Sequence, residues 1–293
     1  MMGQEGRRIL AMPNVLEQWI ETRNSSVRWI EPAAYAAQVV AGGDETWPCR
    51  PQSAAQVLAR ANEALKSQVA SLDILPVLTT GAPKPDPDDS VGAAEDALGA
   101  AAALDNARAV VRAVTGTLAG RFDVMLRLPS PLALLRRFGM PVDAVPALDD
   151  LDDAAVALAG VIRALAEFDL TGVVLATPVD EGLATDECGS LESIVGSVHH
   201  QRRIVALRLE GAATAVDFVD SDVDLMLCPN LAPVALVAAA GRPGVRMGGG
   251  LGTVFWAGGD FPSPTRGLLY YGDAPEGMAP EKILARLDSL RVD

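Results

Sequence analysis

The stretch RIVALRLEG, Arg203–Gly211, decides how the fold of this sequence is interpreted. Its apolar residues run from Ile204 to Leu207, and Arg208 and Glu210 follow just before the glycine. A short apolar run that ends in charged side chains and glycine is typical of a parallel strand buried on both faces. Such a strand delivers polar groups to one end of a sheet, so the number of other strands that end this way indicates the fold.

Seven further apolar runs alternate with segments of mostly helical pattern. In chain order the predicted strands are Val27–Ile30, Asp73–Leu78, Asp123–Leu128, Gly172–Ala176, Arg203–Arg208, Val223–Leu227, Val245–Met247 and Gly267–Tyr271. This alternation predicts an α/β protein with a single (β/α)8 TIM-type barrel, for which 293 residues suffice. We expect one domain over residues 1–293, with 1–12 disordered or forming an N-terminal extension. An open doubly wound sheet is the alternative.

Composition limits the partners and the compartment. The net charge of −14 argues against non-specific binding to nucleic acid and against anionic membrane surfaces. The three cysteines are far apart and fit no CxxC spacing, which is typical of a reducing compartment. The sequence has no apolar run of transmembrane length. We therefore expect a soluble, cytoplasmic protein. Whether it forms a homodimer stays open.

The chemistry of such barrels lies at the carboxyl ends of the strands. The side chains predicted there form an acid-rich ring, in which Asp180, Glu181, Glu210 and Asp273 are candidates for acid–base catalysis or for holding a divalent cation. The alternative for these carboxylates is a salt-bridged or exposed structural role. Candidates for substrate binding at the same ends are Arg208, Lys84, Asn230 and Gly249.

Gly249 lies in the stretch GGGLG, Gly248–Gly252. Its backbone N–H groups are candidates for binding a phosphate or carboxylate. The alternative is a turn in which glycine lets the backbone pass closely. Neither the dinucleotide-binding fingerprint nor the P-loop pattern occurs.

Several segments, in order, resemble the uroporphyrinogen decarboxylase superfamily, which also contains cobalamin-independent methionine synthases and zinc-dependent corrinoid methyltransferases. The resemblance covers about Leu72 to Leu290 and ends in its most specific segment. The segments are LDILPVLTTG (Leu72–Gly81), SPLALLRRFG (Ser130–Gly139), GVVLATPVDEG (Gly172–Gly182), GVRMGGGLG (Gly244–Gly252) and YYGDAPEGMAPEKILARLDSLR (Tyr270–Arg291).

The resemblance adds residues to the candidate site. Asp73 matches an aspartate of the family, the family tyrosine after strand three falls near Arg137, and the C-terminal histidine falls near Asp273. The sequence also departs from the family, because it lacks the N-terminal Arg-Gln-Ala-Gly-Arg segment of the decarboxylases. At the strand-five positions where the methyltransferases use His-x-Cys for zinc, this chain has Arg208 and Glu210.

The resemblance implies a divergent barrel enzyme that carries out a lyase or decarboxylase-type reaction on a small carboxylated molecule, without zinc, corrinoid or another cofactor. In this hypothesis Arg208 binds the substrate carboxylate, and Asp73, Asp180, Glu210 and Asp273 act in catalysis. One alternative is a methyl- or alkyl-group transferase of the same superfamily that uses a divalent ion. Another is a non-catalytic barrel that binds a ligand or a partner.

Overall fold

The computed structural model describes residues 14–82, 84–178, 187–211, 222–242, 244–262 and 266–290. Within them, eight short strands are each followed by at least one helix or connecting segment. The strands are β1 Val27–Glu31, β2 Val69–Asp73, β3 Asp123–Pro129, β4 Gly172–Ala176, β5 Ile204–Arg208, β6 Leu225–Cys228, β7 Met247–Gly250 and β8 Leu269–Asp273.

All strand pairs are parallel, and the strand order is β1-β8-β7-β6-β5-β4-β3-β2. The two ends of this order meet, because the Gln68 N–H donates to the Arg28 carbonyl at 2.8 Å. Side chains complete the seam: Gln68 Oε1 accepts from the Arg28 N–H at 2.9 Å, and Ser67 Oγ accepts from the Ile30 N–H at 3.1 Å. The predicted (β/α)8 barrel is therefore confirmed, and the doubly wound sheet is excluded.

The helices surround the barrel, apart from α1, which lies across its amino-terminal end. They are α1 Val15–Thr22, α2 Ala33–Tyr35, α3 Pro51–Leu65, α4 Leu75–Leu78, α5 Ser90–Gly99, α6 Ala101–Leu118, α7 Pro131–Arg137, α8 Leu148–Ala164, α9 Glu187–His200, α10 Pro233–Ala240, α11 Thr253–Trp256 and α12 Pro280–Asp288. A π-helical segment, Ala36–Val40, continues α2, and Trp47–Cys49 form a 3-10 turn. No helix of the described residues is long and apolar enough to cross a bilayer.

The second strand was predicted in the wrong place. It ends at Asp73, where the prediction had it begin, and the apolar run after it belongs to α4, whose second residue is Pro76. Proline supplies no backbone donor for a central strand, and it fits the first turn of a helix. The preceding helix α3 ends at Leu65 because Lys66 takes the left-handed conformation, with φ 53°. The fourth strand has the predicted bounds.

Alternate strand residues fill the barrel interior, and the layers differ in character from one end to the other. The lower layers are apolar except for Asp123, and α1 covers them from below through Leu16 and Trp19. Trp19 Nε1 donates to the Gly267 carbonyl at 3.0 Å, and the Leu16 N–H donates to Asp123 Oδ2 at 2.8 Å. The uppermost layer, at the carboxyl ends of the strands, is polar. The amino-terminal end is therefore sealed, and the polar groups collect at the opposite end.

Candidate functional site

The polar layer at the carboxyl ends of the strands forms the candidate site, called the mouth below. Inward-facing residues from strands β1, β2, β3, β5 and β8 meet there, because every second residue of a strand points to the same side. The members of this layer are Glu31, Ser71, Asp73, Arg127, Arg208, Glu210, Tyr271 and Asp273.

Arg208 is the centre of the mouth. Its Nε and Nη2 donate to the two oxygens of Glu210 at 2.5 and 2.8 Å. On the other side, Nη1 and Nη2 donate to the two oxygens of Asp273 at 3.1 and 2.8 Å. Nη1 also donates to the Tyr271 hydroxyl at 2.7 Å. Two carboxylates and a phenol thus bind this guanidinium, and its side chain is only 4% exposed.

Below Arg208, the buried carboxyl of Glu31 receives two hydrogen bonds. The Tyr271 hydroxyl donates to Glu31 Oε1 at 3.1 Å, and the Ser71 hydroxyl donates to the same oxygen at 2.7 Å. Ser71 in turn accepts from Trp29 Nε1 at 2.8 Å. Because each hydroxyl already accepts one bond, from Arg208 or from Trp29, its own proton is directed to Glu31. The directions of the hydrogen bonds from Tyr271 and Ser71 to Glu31 are therefore fixed.

Burial shifts the pKa values of the ionisable groups around Arg208. It raises the pKa of Glu31, an effect that the nearby cations Arg127 and Arg208 only partly offset. Burial likewise raises the pKa of Tyr271 well above its usual value, so the phenol keeps its proton. Burial lowers the pKa of Arg208, but Tyr271, Asp273 and Glu210 outweigh this and raise it. The guanidinium therefore stays charged.

Arg127, on β3, is the second cation of the mouth. Its Nη2 donates to Glu210 Oε1 at 3.2 Å, the single hydrogen bond that its guanidinium forms with the described residues. Its side chain is 22% exposed, in contrast to the enclosed Arg208. Burial and Arg208 lower its pKa, but Glu31 and Asp73 raise it by more, so this side chain also stays charged.

The structure brings three of the predicted site residues together: Arg208, Glu210 and Asp273. Asp73 ends β2 beside Arg127 in the strand register; it is exposed, and its Oδ1 accepts from the Leu75 N–H at 3.1 Å.

The other predicted residues lie outside the network or at its edge. Asn230 is exposed at the rim, and its Nδ2 donates to the Glu210 carbonyl at 3.3 Å. Lys84 and Arg137 are exposed, and among the described residues neither forms a hydrogen bond with the network. Asp180 and Glu181 lie outside the described residues.

Gly249 lies inside β7 and is buried. A Cβ at this position would stand 2.8 Å from the Cys228 carbonyl oxygen and 3.0 Å from Leu231 Cβ. This close packing supports the alternative in which glycine is needed for backbone approach. Binding of a substrate by Gly249 stays a prediction.

Sequence reasoning missed Arg127, and it did not assign roles to Glu31 and Tyr271. The signal was present, because Asp123, Met125 and Arg127 alternate along β3, so an inward Asp123 puts Arg127 on the inside as well. Arg127 was missed because only residues at the ends of apolar runs were taken as site candidates, and Arg127 lies within such a run.

A soft zinc site of the kind used by thiol methyltransferases does not fit the described residues. Among them, no group of three His, Cys, Asp or Glu side chains is arranged to hold a metal ion. Cys228, at the end of β6, packs in the outer apolar layer, whereas its neighbour Leu227 belongs to the interior. Burial raises the pKa of this thiol to about 12, so it is a poor source of the thiolate that zinc binds.

The fold and the site define a class: a (β/α)8 barrel with a buried, charged network at the carboxyl ends of its strands. No family model and no curated protein matches the sequence.

Solved structures do match. A methyltransferase from Methanosarcina mazei superimposes with a TM-score of 0.68 at 14% identity, over 94% of this chain and 96% of the other. A protein assigned as a vitamin-B12-independent methionine synthase from Listeria monocytogenes matches with a TM-score of 0.46 at 12% identity, over 90% of this chain and 93% of the other. The first likeness establishes a shared fold along nearly the whole chain, in agreement with the barrel fold that the resemblance implied.

Proposed function

We propose that this chain is an enzyme of the uroporphyrinogen decarboxylase- and methionine synthase-like barrels that transfers a methyl or alkyl group, with a small carboxylated molecule as one substrate. The observation that carries the proposal is the network of Arg208, Glu210 and Asp273. Taking charged groups out of water costs several kcal/mol per ion, about as much as their attraction returns. A barrel that holds such a network at its catalytic end gives up stability at the place where chemistry is done.

The likeness to the M. mazei methyltransferase favours group transfer over the lyase reaction expected from the sequence, as an analogy between folds. In the proposed step, an acceptor X–H gives its proton to Asp273, and the electron pair of X attacks the alkyl carbon. The bond from this carbon to the donor breaks, and the leaving group takes its electrons. Asp273 suits the role of base because it is half exposed, at 49%, whereas Glu210 is only 12% exposed.

Arg208 has a positioning role in this proposal, because it binds both oxygens of Asp273 and holds the carboxylate in one orientation. The exposed carboxylate of Asp73 would stabilise positive charge on the donor. The sequence-based alternative of a divalent ion at the acidic ring stays a proposal. Loss of turnover with a chelator, and its return with added Mg²⁺ or Mn²⁺, would support it.

A decarboxylase-type lyase is the second candidate, and Glu31 is the observation that favours it. Burial raises the pKa of the Glu31 carboxyl, which favours its protonated form and makes it a candidate source of the proton that replaces carbon dioxide on the substrate carbon. The difficulty is access, because Glu31 is only 3% exposed and lies beneath Tyr271.

Mass spectrometry separates the two candidates. The protein is incubated with small carboxylic acids in the presence and absence of methyl donors, and products are examined for gain of a methyl group or loss of carbon dioxide. Under the group-transfer proposal, methyl gain disappears in Asp273→Asn and persists in Asp105→Asn, a control at an exposed position of α6. Methyl transfer that survives Asp273→Asn refutes the proposed base, and loss of carbon dioxide supports the lyase. Binding of carboxylates without any turnover would support the alternative of a non-catalytic barrel.

We also propose a cytoplasmic location and a reducing environment, supported by three cysteines that are all free thiols. Cell fractionation tests this, and recovery in an oxidising compartment would contradict it.

A further inference from the structure

We propose that Arg127, and not Arg208, binds the carboxylate of the substrate, and that the mouth consequently selects molecules with a single carboxylate. The proposal rests on the function proposed above and names the binding residue and the substrate class for that site. It replaces the sequence-based expectation that Arg208 holds the substrate.

Arg208 has no free donor for a ligand. A guanidinium has five N–H groups, and those of Arg208 are directed to Glu210, Asp273 and Tyr271 in five contacts. A ligand carboxylate would have to displace one of two bidentate partners and would leave a displaced carboxylate in a mostly buried layer. Such an exchange replaces one charge-assisted pair by another of equal strength, with no gain.

Arg127 can accept a ligand without that loss. Its one hydrogen bond to a described residue, to Glu210, is long at 3.2 Å, and Glu210 keeps both bonds to Arg208 when Arg127 turns to a ligand. Arg127 is also the more exposed of the two arginines, with 22% of its side chain accessible against 4%. Its fork of N–H groups matches the two oxygens of a carboxylate.

The surroundings of Arg127 restrict the ligand to one negative charge. Asp73 lies beside it in the strand register, and Glu210 and Asp273 complete an acidic rim. A second carboxylate on the ligand would meet these acids at close range, whereas a neutral or cationic remainder would not.

The test uses acetate as the probe and the arginine Nε–Hε signals of the whole chain in nuclear magnetic resonance. Titration at constant ionic strength, with chloride as the balancing ion, is expected to shift the Arg127 signal and leave the Arg208 signal in place. Arg127→Lys keeps the charge and removes the fork, and we expect acetate binding to weaken by about tenfold. Arg60→Lys, at an exposed position of α3, is the matched control and should bind acetate normally.

A second titration with tricarballylate, a tricarboxylate, tests the selection of one charge. At equal carboxylate concentration, acetate should bind at Arg127 more tightly than tricarballylate. A shift of Arg208 in place of Arg127, unchanged binding in Arg127→Lys, no response of either arginine, or preference for the tricarboxylate would each overturn the inference. The proposed function fails separately, when the mass-spectrometric assay shows no methyl transfer although acetate binds at Arg127.

Discussion

Replacing each mouth arginine by methionine should separate their roles through stability. Arg208→Met removes the donor for both oxygens of Glu210, both oxygens of Asp273 and the Tyr271 hydroxyl. Removing one partner of a buried pair costs about 3–5 kcal/mol, because it leaves an uncompensated charge in the interior. The lower end of this range applies here, since Asp273 is 49% exposed and Glu210 keeps a contact with Arg127.

Arg127→Met should lower the free energy of unfolding much less than Arg208→Met does. It removes one hydrogen bond of 3.2 Å, from an acceptor that retains two shorter ones to Arg208. A net loss of about 1 kcal/mol or less is expected for such a bond. The difference between the two variants, about 2 kcal/mol, is the quantity to be measured.

Urea unfolding followed by far-ultraviolet circular dichroism at pH 7.5 measures this difference in the free energy of unfolding. The comparison requires that all variants have the same m-value. The double variant Arg208→Met/Glu210→Gln provides a control, because removing the carboxylate that loses both of its bonds to Arg208 should recover part of the loss. Equal stability of the two single variants, or a larger loss in Arg127→Met, would refute the argument that Arg208 is the positioning arginine and Arg127 the available one.

Two further predictions concern single groups elsewhere in the chain. Burial raises the pKa of Asp123 from 3.8 to about 6 despite the N–H groups of Val15 and Leu16, so the folded state binds the proton more tightly than the unfolded state. Stability should therefore fall as pH rises from about 4 to 6, by up to about 3 kcal/mol, and Asp123→Asn should be more stable than the parent at pH 7.5 and lack this fall. Urea unfolding across this pH range checks it, and a less stable variant at pH 7.5 contradicts it. The second prediction is slow alkylation of Cys228, whose pKa is about 12, compared with the exposed Cys188. Peptide mass spectrometry after brief iodoacetamide treatment gives both rates, and equal labelling would show that Cys228 is accessible as a thiolate.

Part of the site was predictable because it follows from local pattern. The stretch RIVALRLEG gives a strand whose end carries Arg208 and Glu210, and the structure places both at the mouth. The position of β2 was not predictable from the same signal, since Ile74–Leu78 is as apolar as a strand and only Pro76 argues for a helix. Arg127 was overlooked because its own segment reads as a continuous strand.

The sequence alone predicted the barrel, because short apolar runs that alternate with mostly helical segments favour it, and the contact between β1 and β2 then excluded the open sheet. It also placed charges at the carboxyl ends of the strands, since strand period and direction are local properties. The tertiary structure decided which arginine is held and which is available. Arg208 reaches Asp273 across 65 residues of sequence, and only the closure of the barrel brings these side chains, at the ends of β5 and β8, within hydrogen-bond distance. A local pattern can place a charge at the mouth, but its partner depends on contacts that exist only after folding.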